Sequence, residues 1–570
     1  MSPEPAIPLL ERRREQMFPV LSPAQIQLAR RFGGPARRAQ PGEIVFDFGQ
    51  RGAPAFLVLT GTLDVLVRDA LGHVNTVATH GPGELSGEIS QLAGGASYSQ
   101  GRAGSEGAEI VPFDAAQVRR LVVSTTDVGE VVMRAFILRR VFLIQTGAGV
   151  VLLGETNAPQ ALRLQNFLSR NGIPYTLLDP NSDPDSAQLI ARLGISKADL
   201  PLAVCPDGSV LRSPTEKAIG QRLGLLPSLA GDRSYDVAIV GAGPGGLAAA
   251  MYAASEGLSV IVFDARAFGG QAGASARIEN YLGFPTGISG EALAGRAYAQ
   301  AQKFGAVMAI PVEVERLSAA SDSSAAHGRP YSVALDEGSP VHASTVVIAS
   351  GARYRKLDLP NLSHFEGQGV HYWASPIEAR LCARREVVVV GGGNSAGQGV
   401  VFLAGLVARV YLLVRGRDLG ENMSHYLVER IAALPNVDVR TQTELTQLIG
   451  DAQAGLQAVS WKEPSTGREE QRPIRHVFLF LGAVPNTDWL KRCAVSVDDK
   501  GFVQTGDAAT QAGGSGRRSL PFETTRPGVF AVGDVRAGSV KRVSAAVGEG
   551  AAAVAQIHEH LHQLRSPAPS

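Results

Sequence analysis

Three glycines at fixed spacing and one later aspartate form the clearest chemical signal in this sequence of 570 residues. Gly241, Gly243 and Gly246 follow a β-branched strand in YDVAIVGAGPGGLAAAMYAASEGLSVIVFDA, residues 235–265. The first glycine permits a tight turn, the second lets a pyrophosphate approach the backbone, and the third lets the helix pack on the strand. Asp264 ends the next strand, where a carboxylate can accept a hydrogen bond from a ribose. The segment therefore predicts a dinucleotide site.

A second glycine turn occurs in REVVVVGGGNSAGQGVVFLAGLVARVYLLVRGRD, residues 385–418, where a strand again runs into a helix. The next strand ends in two arginines and not in an acid. Basic side chains at this point favour a 2′-phosphate, and therefore NADPH over NADH. The alternative is that both arginines merely face water. The residues predicted to bind this second dinucleotide are Gly391, Gly393, Asn394, Ser395, Arg415 and Arg417.

Residues 233–562 resemble the low-molecular-weight thioredoxin reductase family over that whole length. The matching segments are GGQ at 269–271, IENYLGFP, VVIASGA, LFLGAVPNT and GVFAVGDVRAGSVKRVSAAVGEG, in this order. The resemblance implies two Rossmann-like domains that bind FAD and NADPH, and a homodimer. Within the last segment it implies that Asp534 holds the ribityl chain, and that Arg542 and Val543 lie at the pyrimidine end of the flavin ring. The residues assigned to FAD are Gly241, Gly243, Gly246, Asp264, Gly270, Gln271, Asn280, Gly351, Gly533, Asp534, Arg542 and Val543.

The segment HYWASP, residues 371–376, departs from the family pattern. By that pattern Trp373 and Pro376 occupy the positions of the two redox cysteines, so electrons cannot pass from the flavin to a dithiol here. No catalytic side chain is predicted with certainty. Trp373 either covers the flavin, shielding it from water and oxygen, or packs in a seam between domains. Cys382 has no partner at CxxC spacing and is interpreted as a structural thiol.

NADPH can still reduce FAD without a dithiol, because hydride transfer depends on binding and orientation. We therefore expect an NADPH-dependent flavoenzyme whose flavin gives electrons directly to an unidentified acceptor: a ferredoxin or flavodoxin, a quinone, an external disulfide, or oxygen. The chain ends LHQLRSPAPS without an aromatic residue, which weakens the ferredoxin interpretation. One alternative is a sensor or docking protein in which the flavin module responds to NADPH. Another is a thioredoxin-disulfide reductase that uses a partner's thiols.

Residues 1–145 contain short strands separated by glycine turns, which predict a small β-roll. The segments PGEIVFDFGQ, AFLVLTGTLDV and GPGELSGEISQL resemble the cyclic-nucleotide-binding fold. In that family a Gly-Glu pair begins a short helix that holds the phosphate, and Gly87 and Glu88 match it. The family's phosphate arginine is replaced by Tyr98, and Arg102 is the nearest arginine after it. We expect this degenerate site to bind no cyclic nucleotide; a ligand of the β-roll through Arg102 is the alternative.

Residues 146–230 have the predicted order βαβαββ, which resembles glutaredoxin or thioredoxin. Leu200-Pro201 matches the family's cis-proline. Ala158 and Ala161 stand where the family has its two cysteines, so no thiol exchange is expected. This unit is interpreted as a spacer or docking domain, and SLAGDRS, residues 228–234, as the linker that follows it.

Composition and charge restrict the functional classes. Hydrophobic residues make up 45% of the chain and the net charge is +1, so neither disorder nor a charge-driven partner such as nucleic acid or an anionic membrane is expected. The cysteines, Cys205, Cys382 and Cys493, form no disulfide framework or metal motif; together with the missing signal peptide they favour the cytoplasm. The predicted fold is multidomain α/β, in which 1–145 and 146–230 precede an FAD domain (231–356 and 483–570) interrupted by an NADPH domain (357–482).

Overall fold

A computed structural model describes residues 13–68, 72–183, 186, 190, 194–196, 199–227, 229, 233–319, 329–451, 455–491, 493–513 and 517–565. The second helix of the predicted βαβαββ order and the linker at 228–234 lie largely outside the described residues. The chain divides into two compact units, each described by itself below. The first comprises 1–239, 250–267 and 297–344, and the second comprises 240–249, 268–296 and 345–570.

The first unit begins with the predicted β-roll. Ser22 caps the first helix by accepting a hydrogen bond from the backbone N–H of Gln25. The long strands pair antiparallel in the order β1-β5-β3-β4, with β2 on β5, and Phe56, Phe113 and Phe136 are fully buried. The elements are α1 (Pro23–Arg30), β1 (Arg37–Ala39), β2 (Ile44–Phe46), β3 (Ala55–Arg68), β4 (Val74–His80), β5 (Ser99–Phe113), α2 (Ala115–Ser124) and α3 (Thr126–Thr146).

A four-stranded sheet follows in the same unit. Its strand order is β7-β6-β8-β9, in which β6 and β7 are parallel and the other pairs antiparallel. The described strands and the first helix follow the predicted order, a further helix follows the last strand, and the peptide bond between Leu200 and Pro201 is cis. The elements are β6 (Val150–Leu153), α4 (Pro159–Arg170), β7 (Tyr175–Leu178), β8 (Leu202–Val204), β9 (Val210–Arg212) and α5 (Glu216–Arg222).

The next strands have the order β12-β11-β10-β15-β14-β13. β11 and β12 are short and parallel, whereas β13, β14 and β15 pair antiparallel. Continuous apolar runs are typical of buried parallel strands, and alternating runs are typical of antiparallel strands with one exposed face. The sequence contains both patterns, which explains the two kinds of strand. The elements are β10 (Arg233–Val240), α6 (Pro244–Ser255), β11 (Val260–Phe263), α7 (Gly270–Gly273), α8 (Gly290–Lys303), β12 (Val307–Ala309), β13 (Val314–Ala319), β14 (Tyr331–Leu335) and β15 (Val341–Ile348).

The second unit contains a five-stranded sheet whose order is β17-β24-β18-β19-β20. Every pair in it is parallel, so its connections cross over it and the carboxyl ends of its strands share one edge. The strands are β16 (Ala352–Tyr354), β17 (Val370–His371), β18 (Glu386–Val390), β19 (Arg409–Leu413), β20 (Val437–Arg440), β21 (Glu444–Asp451), β22 (Gly455–Glu463), β23 (Arg468–Arg472), β24 (Val477–Leu479), β25 (Ala483–Pro485) and β26 (Val529–Ala531).

The helices of the second unit connect these strands and end the chain. They are α9 (Leu362–Phe365), α10 (Pro376–Leu381), α11 (Asn394–Ala404), α12 (His425–Ala432), α13 (Gly506–Gly513) and α14 (Val543–Arg565). Within this unit the end of β15, residues 346–348, pairs in parallel with β26. None of the described helices is both long and apolar enough to cross a bilayer.

Candidate functional site

The first glycine turn joins β10 to α6 with backbone geometry that only glycine can supply. Gly241 has φ +111, and a Cβ there would collide with the carbonyl oxygen of Ala349. A Cβ at Gly246 would collide with the carbonyl oxygen of Gly241, so this glycine permits close packing of the helix. At Gly243 the nearest atom to such a Cβ is 3.9 Å away, on Gly270, which leaves the turn open to a ligand. The turn therefore fits the pyrophosphate of a dinucleotide.

Asp264 directly follows β11 in the first unit. Its Oδ1 accepts hydrogen bonds from the backbone N–H groups of Arg266, at 2.9 Å, and Ala267, at 3.1 Å. Two main-chain donors hold the carboxylate in one orientation at the end of the strand. This is the position at which an acid accepts from the ribose of an adenosine.

The second glycine turn joins β18 to α11 in the same manner. Gly391 has φ +145, and a Cβ there would collide with the carbonyl oxygen of Phe480. Gly393 is the residue before the helix, with φ −100, and no described atom lies within 4 Å of a Cβ built on it. Gly391 is thus required by the backbone conformation. Gly393 faces open space at a helix N-terminus, where an anion binds favourably.

The remaining residues assigned to NADPH surround this turn. The side chain of Asn394 accepts a hydrogen bond from the backbone N–H of Ser424 at 2.7 Å, and Ser395 hydrogen-bonds the phenol of Tyr354. Arg415 and Arg417 are exposed just beyond the end of β19, and among the described residues neither forms an ion pair. Both guanidinium groups are therefore available to an anionic ligand.

Near the chain's end, Gly533 and Asp534, both assigned to FAD, are hydrogen-bonded to neighbouring side chains. Gly533, with φ +74, donates its N–H to Glu549 at 2.6 Å, and burial raises the pKa of the Asp534 carboxyl. Lys541 donates to the carbonyl oxygen of Asp534 at 2.7 Å. Arg542 and Val543 lie at the start of α14, with Arg542 exposed. A buried carboxyl group requires hydrogen-bond partners, which the hydroxyls of a bound ligand can supply.

Gln271 and Gly351 belong to the same unit. The side-chain amide of Gln271 donates to the carbonyl oxygen of Ala352, and Gly270 and Gly351 have φ +53 and +65. These residues shape a backbone that a side chain at either glycine would strain.

Asn280 lines a cavity of about 320 Å³ between the 277–286 segment and α12. Arg430 forms an ion pair with Glu279 across it, and both side chains line the cavity. The hydroxyl of Tyr426 is buried there without a hydrogen-bond partner among the described residues. The cavity therefore offers a polar, positively charged wall beside Asn280.

HYWASP forms the end of β17 and the start of α10. Ser375 caps the helix and Pro376 is its first residue, a position at which proline costs no hydrogen bond. The indole N–H of Trp373 donates to Oε1 of Glu378 at 2.9 Å, and Oε2 of Glu378 accepts from the hydroxyl of Ser375. Glu378 itself is buried. Trp373 is therefore held in one orientation by a buried carboxylate.

The three cysteines are buried, free and separate. Burial raises the pKa of the Cys205 and Cys382 thiols to about 11 each, which keeps them protonated and unreactive at neutral pH. The Cys382 thiol donates to the carbonyl of Glu378 at 3.3 Å, and that of Cys493 to the carbonyl of Trp489 at 3.4 Å. Beside the sheet of β6 to β9, Ala158 occupies the N-cap position of α4 without a capping side chain, and Ala161 is fully buried. No described side chain there can exchange a disulfide.

In the β-roll, Gly87 and Glu88 precede the short helix Ile89–Leu92. The backbone N–H of Glu88 is satisfied by the side-chain oxygen of Gln91. Arg102 is exposed on β5 and does not line the cavity that contains Glu88. Tyr98 is buried among residues of the following domain, including Val150.

Several residues at these sites were not predicted from the sequence. Glu378 could have been recognised, because Ser375-x-x-Glu378 is a capping-box pattern. Lys541, Tyr426 and Arg430 carry no local signal, since their roles depend on segments distant in the sequence.

Comparisons with known proteins agree with this geometry. The family model described as pyridine nucleotide-disulphide oxidoreductase matches residues 235–550, more than half of the chain, and the model described as cyclic nucleotide-binding domain matches residues 36–125. The predicted β-roll and the predicted reductase region are thereby confirmed as folds.

Individual relatives match the same region. Thioredoxin reductase of Treponema pallidum is 32% identical over 336 residues, which are 59% of this chain and 100% of the relative. An alkyl hydroperoxide reductase protein of Pseudomonas putida is 33% identical over 336 residues, which are 59% of this chain and 60% of that relative's length. Thioredoxin reductase of T. acidophilum superposes with a TM-score of 0.51 and 28% identity, covering 57% of this chain and 99% of that structure.

Proposed function

Since the chain belongs to the pyridine nucleotide-disulphide oxidoreductase family, we propose that it passes electrons from NADPH through FAD directly to an external acceptor, without a redox dithiol of its own. The observation that carries the proposal is the tryptophan at 373, fixed by Glu378, in a chain whose three cysteines are all buried and separate. A thiol relay requires two thiols in reach of each other, which this chain does not have.

The residues present fit both cofactors. FAD would be held by the turn at Gly243, by Asp264 and by Asp534, and NADPH by the turn at Gly393 and by the arginines at 415 and 417. When bound, the two groups supply the transfer of a hydride and its onward release as electrons. The chain's own contribution is to bind and orient them, through open glycine turns at helix N-termini and through the carboxylates of Asp264 and Asp534.

The preference for NADPH rests on Arg415 and Arg417. Both are exposed at the end of β19 without an ion-pair partner among the described residues. A 2′-phosphate that binds them therefore does not have to displace a carboxylate. An arginine–phosphate contact is charge-assisted and stronger than a neutral hydrogen bond.

The acceptor reaches the flavin region without thiol chemistry in this proposal. The cavity beside Asn280, lined by Arg277 and Arg430, supports a small or anionic acceptor, because its walls are positively charged and it is open to solvent. Candidate acceptors are a quinone, a ferredoxin or flavodoxin, oxygen, or an external disulfide. The thioredoxin reductases among the relatives favour the external disulfide as the competing acceptor.

An acceptor screen tests the proposal. The purified protein is reduced anaerobically with NADPH, and flavin reoxidation is followed after mixing with ferricyanide, a small quinone or an aromatic disulfide. The matched variant changes Cys205, Cys382 and Cys493 to serine. We expect quinone or ferricyanide reduction to stay within a few-fold of wild type and the aromatic disulfide to be reduced negligibly. A hundredfold loss in the serine variant, with FAD content unchanged, would reveal a thiol relay and refute the proposal.

The assembly and cellular location are part of the same proposal. A homodimer is expected from the family, and light scattering that gives the mass of one chain, 59.8 kDa, would contradict it. Three buried, unpaired cysteines support a reducing compartment such as the cytoplasm. Fractionation of cells that express the tagged chain tests the location.

A further inference from the structure

The β-roll encloses a cavity whose nucleotide-binding groups are already occupied by the chain itself. The backbone N–H of Glu88 is bonded to the side chain of Gln91, at the point where a cyclic phosphate would be held. Oε2 of Glu88 lies 3.6 Å from a guanidinium nitrogen of Arg140. That guanidinium also stacks on the ring of Tyr98 at 4.7 Å. The chain thus satisfies the N–H of Glu88 from within, whereas Oε2 of Glu88 and Nη1 of Arg140 meet only as opposite charges, without a hydrogen bond.

A different arginine, Arg139, supplies a buried cationic donor that lines this cavity. It lies on α3 and only 7% of its surface is exposed. Its Nε and Nη1 donate to the carbonyl oxygens of Met17, Leu85 and Gly87, at 2.7 to 2.9 Å. Its Nη2 is buried and has no hydrogen-bond partner among the residues that the structure describes. A buried donor without a partner raises the free energy of the folded protein. A ligand that accepts a hydrogen bond from this donor removes that penalty, which favours binding.

The charge of Arg139 persists at neutral pH. Burial lowers the pKa of its guanidinium to about 10, with Glu84 opposing the shift. Glu84 also bonds His80, and Glu88 pairs with Arg140, so neither carboxylate is bonded to Arg139 itself. Arg139 therefore offers one positive charge, which a singly charged anion can balance.

The rest of the wall is mixed: apolar side chains cover most of it, and polar residues, among them Glu88, Ser90, Gln91 and Ser97, line the remainder. The apolar side chains are Phe18, Phe46, Val65, Val77, Phe142 and Leu143. About 60 Å³ is open to the centre of a water molecule. Since one water needs ~10–15 Å³ on this measure, the cavity has room for roughly five waters, or a ligand of similar bulk. A cyclic nucleotide occupies roughly twice that space.

We propose that the β-roll cavity binds a compact monocarboxylate with an apolar body, whose carboxylate accepts a hydrogen bond from Nη2 of Arg139, in place of a cyclic nucleotide. The apolar body replaces water against the phenylalanine walls, which is favourable. The same arginine holds the carbonyls of Leu85 and Gly87, so a bound carboxylate also stabilises the turn before residues 89–92.

Calorimetry on the full-length, FAD-loaded protein tests the proposal, with benzoate and hexanoate as probes and benzyl alcohol and 1-hexanol as their neutral counterparts. We expect at least one carboxylate to bind with a Kd of about 1 mM or tighter. The matching alcohol is expected to bind at least about tenfold more weakly, because it lacks the charge-assisted bond. Cyclic AMP is expected neither to bind in the micromolar range nor to displace the carboxylate.

Three variants connect the binding to this cavity. Arg139→Met removes the donor, and Ala78→Leu fills the cavity from β4 while leaving the arginine in place; both are expected to lose binding at least tenfold. Arg134→Met is the matched control, since this arginine is exposed on the same helix and pairs with Glu130 outside the cavity; it should bind as wild type does. Flavin absorbance and circular dichroism check that each variant is folded. If Arg139→Met does not fold, the binding measured with Ala78→Leu tests the proposal.

Four outcomes would overturn the proposal. These are no carboxylate binding to wild type, equal affinity for acid and alcohol, unchanged binding in the folded Arg139 or Ala78 variant, and displacement by micromolar cyclic AMP.

Discussion

The substitution Gly393→Ala separates dinucleotide binding from folding. Gly393 precedes α11 with φ −100 and ψ −178, a conformation open to any residue. A Cβ built on it has no described atom within 4 Å. The chain therefore tolerates the methyl group, whereas a pyrophosphate lying against the turn does not.

The two effects differ in size. Gly→Ala at a permitted backbone conformation changes the free energy of unfolding by about 1 kcal/mol or less. Placing one extra carbon against a closely packed group costs about 1–3 kcal/mol. For NADPH this corresponds to a Kd that is roughly 5- to 150-fold weaker. FAD content should be unchanged, because Gly393 belongs to the second turn only.

The assay is anaerobic stopped-flow reduction of the flavin over a range of NADPH concentrations, together with thermal unfolding. Gly391→Ala is the control, because φ +145 and the collision with the carbonyl of Phe480 predict that it destabilises the fold itself. A Gly393→Ala protein that reduces its flavin with the same concentration dependence as wild type would show that this turn does not hold NADPH. If Gly393→Ala lost as much thermal stability as Gly391→Ala, the conclusion that a methyl group fits beside Gly393 would be refuted.

Three further predictions follow from individual residues. Changing Arg415 and Arg417 together to alanine should cost ~1–3 kcal/mol in NADPH binding and leave NADH unaffected; equal second-order rates of flavin reduction for both cofactors in wild type would contradict the assignment. Asp534→Ala should release FAD, measured as loss of flavin absorbance after gel filtration, and full retention would count against its role. Burial lowers the pKa of His371 to about 4, so the unfolded chain binds more protons between pH 6.5 and 4 and stability falls as the pH drops through that window, by an upper limit of ~3 kcal/mol for this group. The melting temperature of His371→Asn should depend less on pH between 7 and 5 than that of wild type or of the exposed His425→Asn, and identical slopes would refute it.

Much of the architecture could be predicted from the sequence because its signals are local. Glycine turns between β-branched strands and helices predicted both nucleotide folds, and the ends of β11 and β19 appear where Asp264 and Arg415 indicated. Short strands separated by glycines likewise predicted the β-roll. These features depend on backbone conformation within a few residues, so the order of residue types is sufficient.

The functional detail of each site depended on contacts between distant segments. The sequence placed Trp373 at a cysteine position, but only the fold shows that the buried Glu378 fixes its indole. The sequence offered Arg102 as the arginine of the β-roll, whereas the cavity is lined by Arg139 from a helix that follows the roll. Helical periodicity assigns such a residue to a face and does not reveal which cavity the face closes. Burial, hydrogen-bond partners and the space beside Gly393 are properties of the packed chain, so tertiary structure alone decided them.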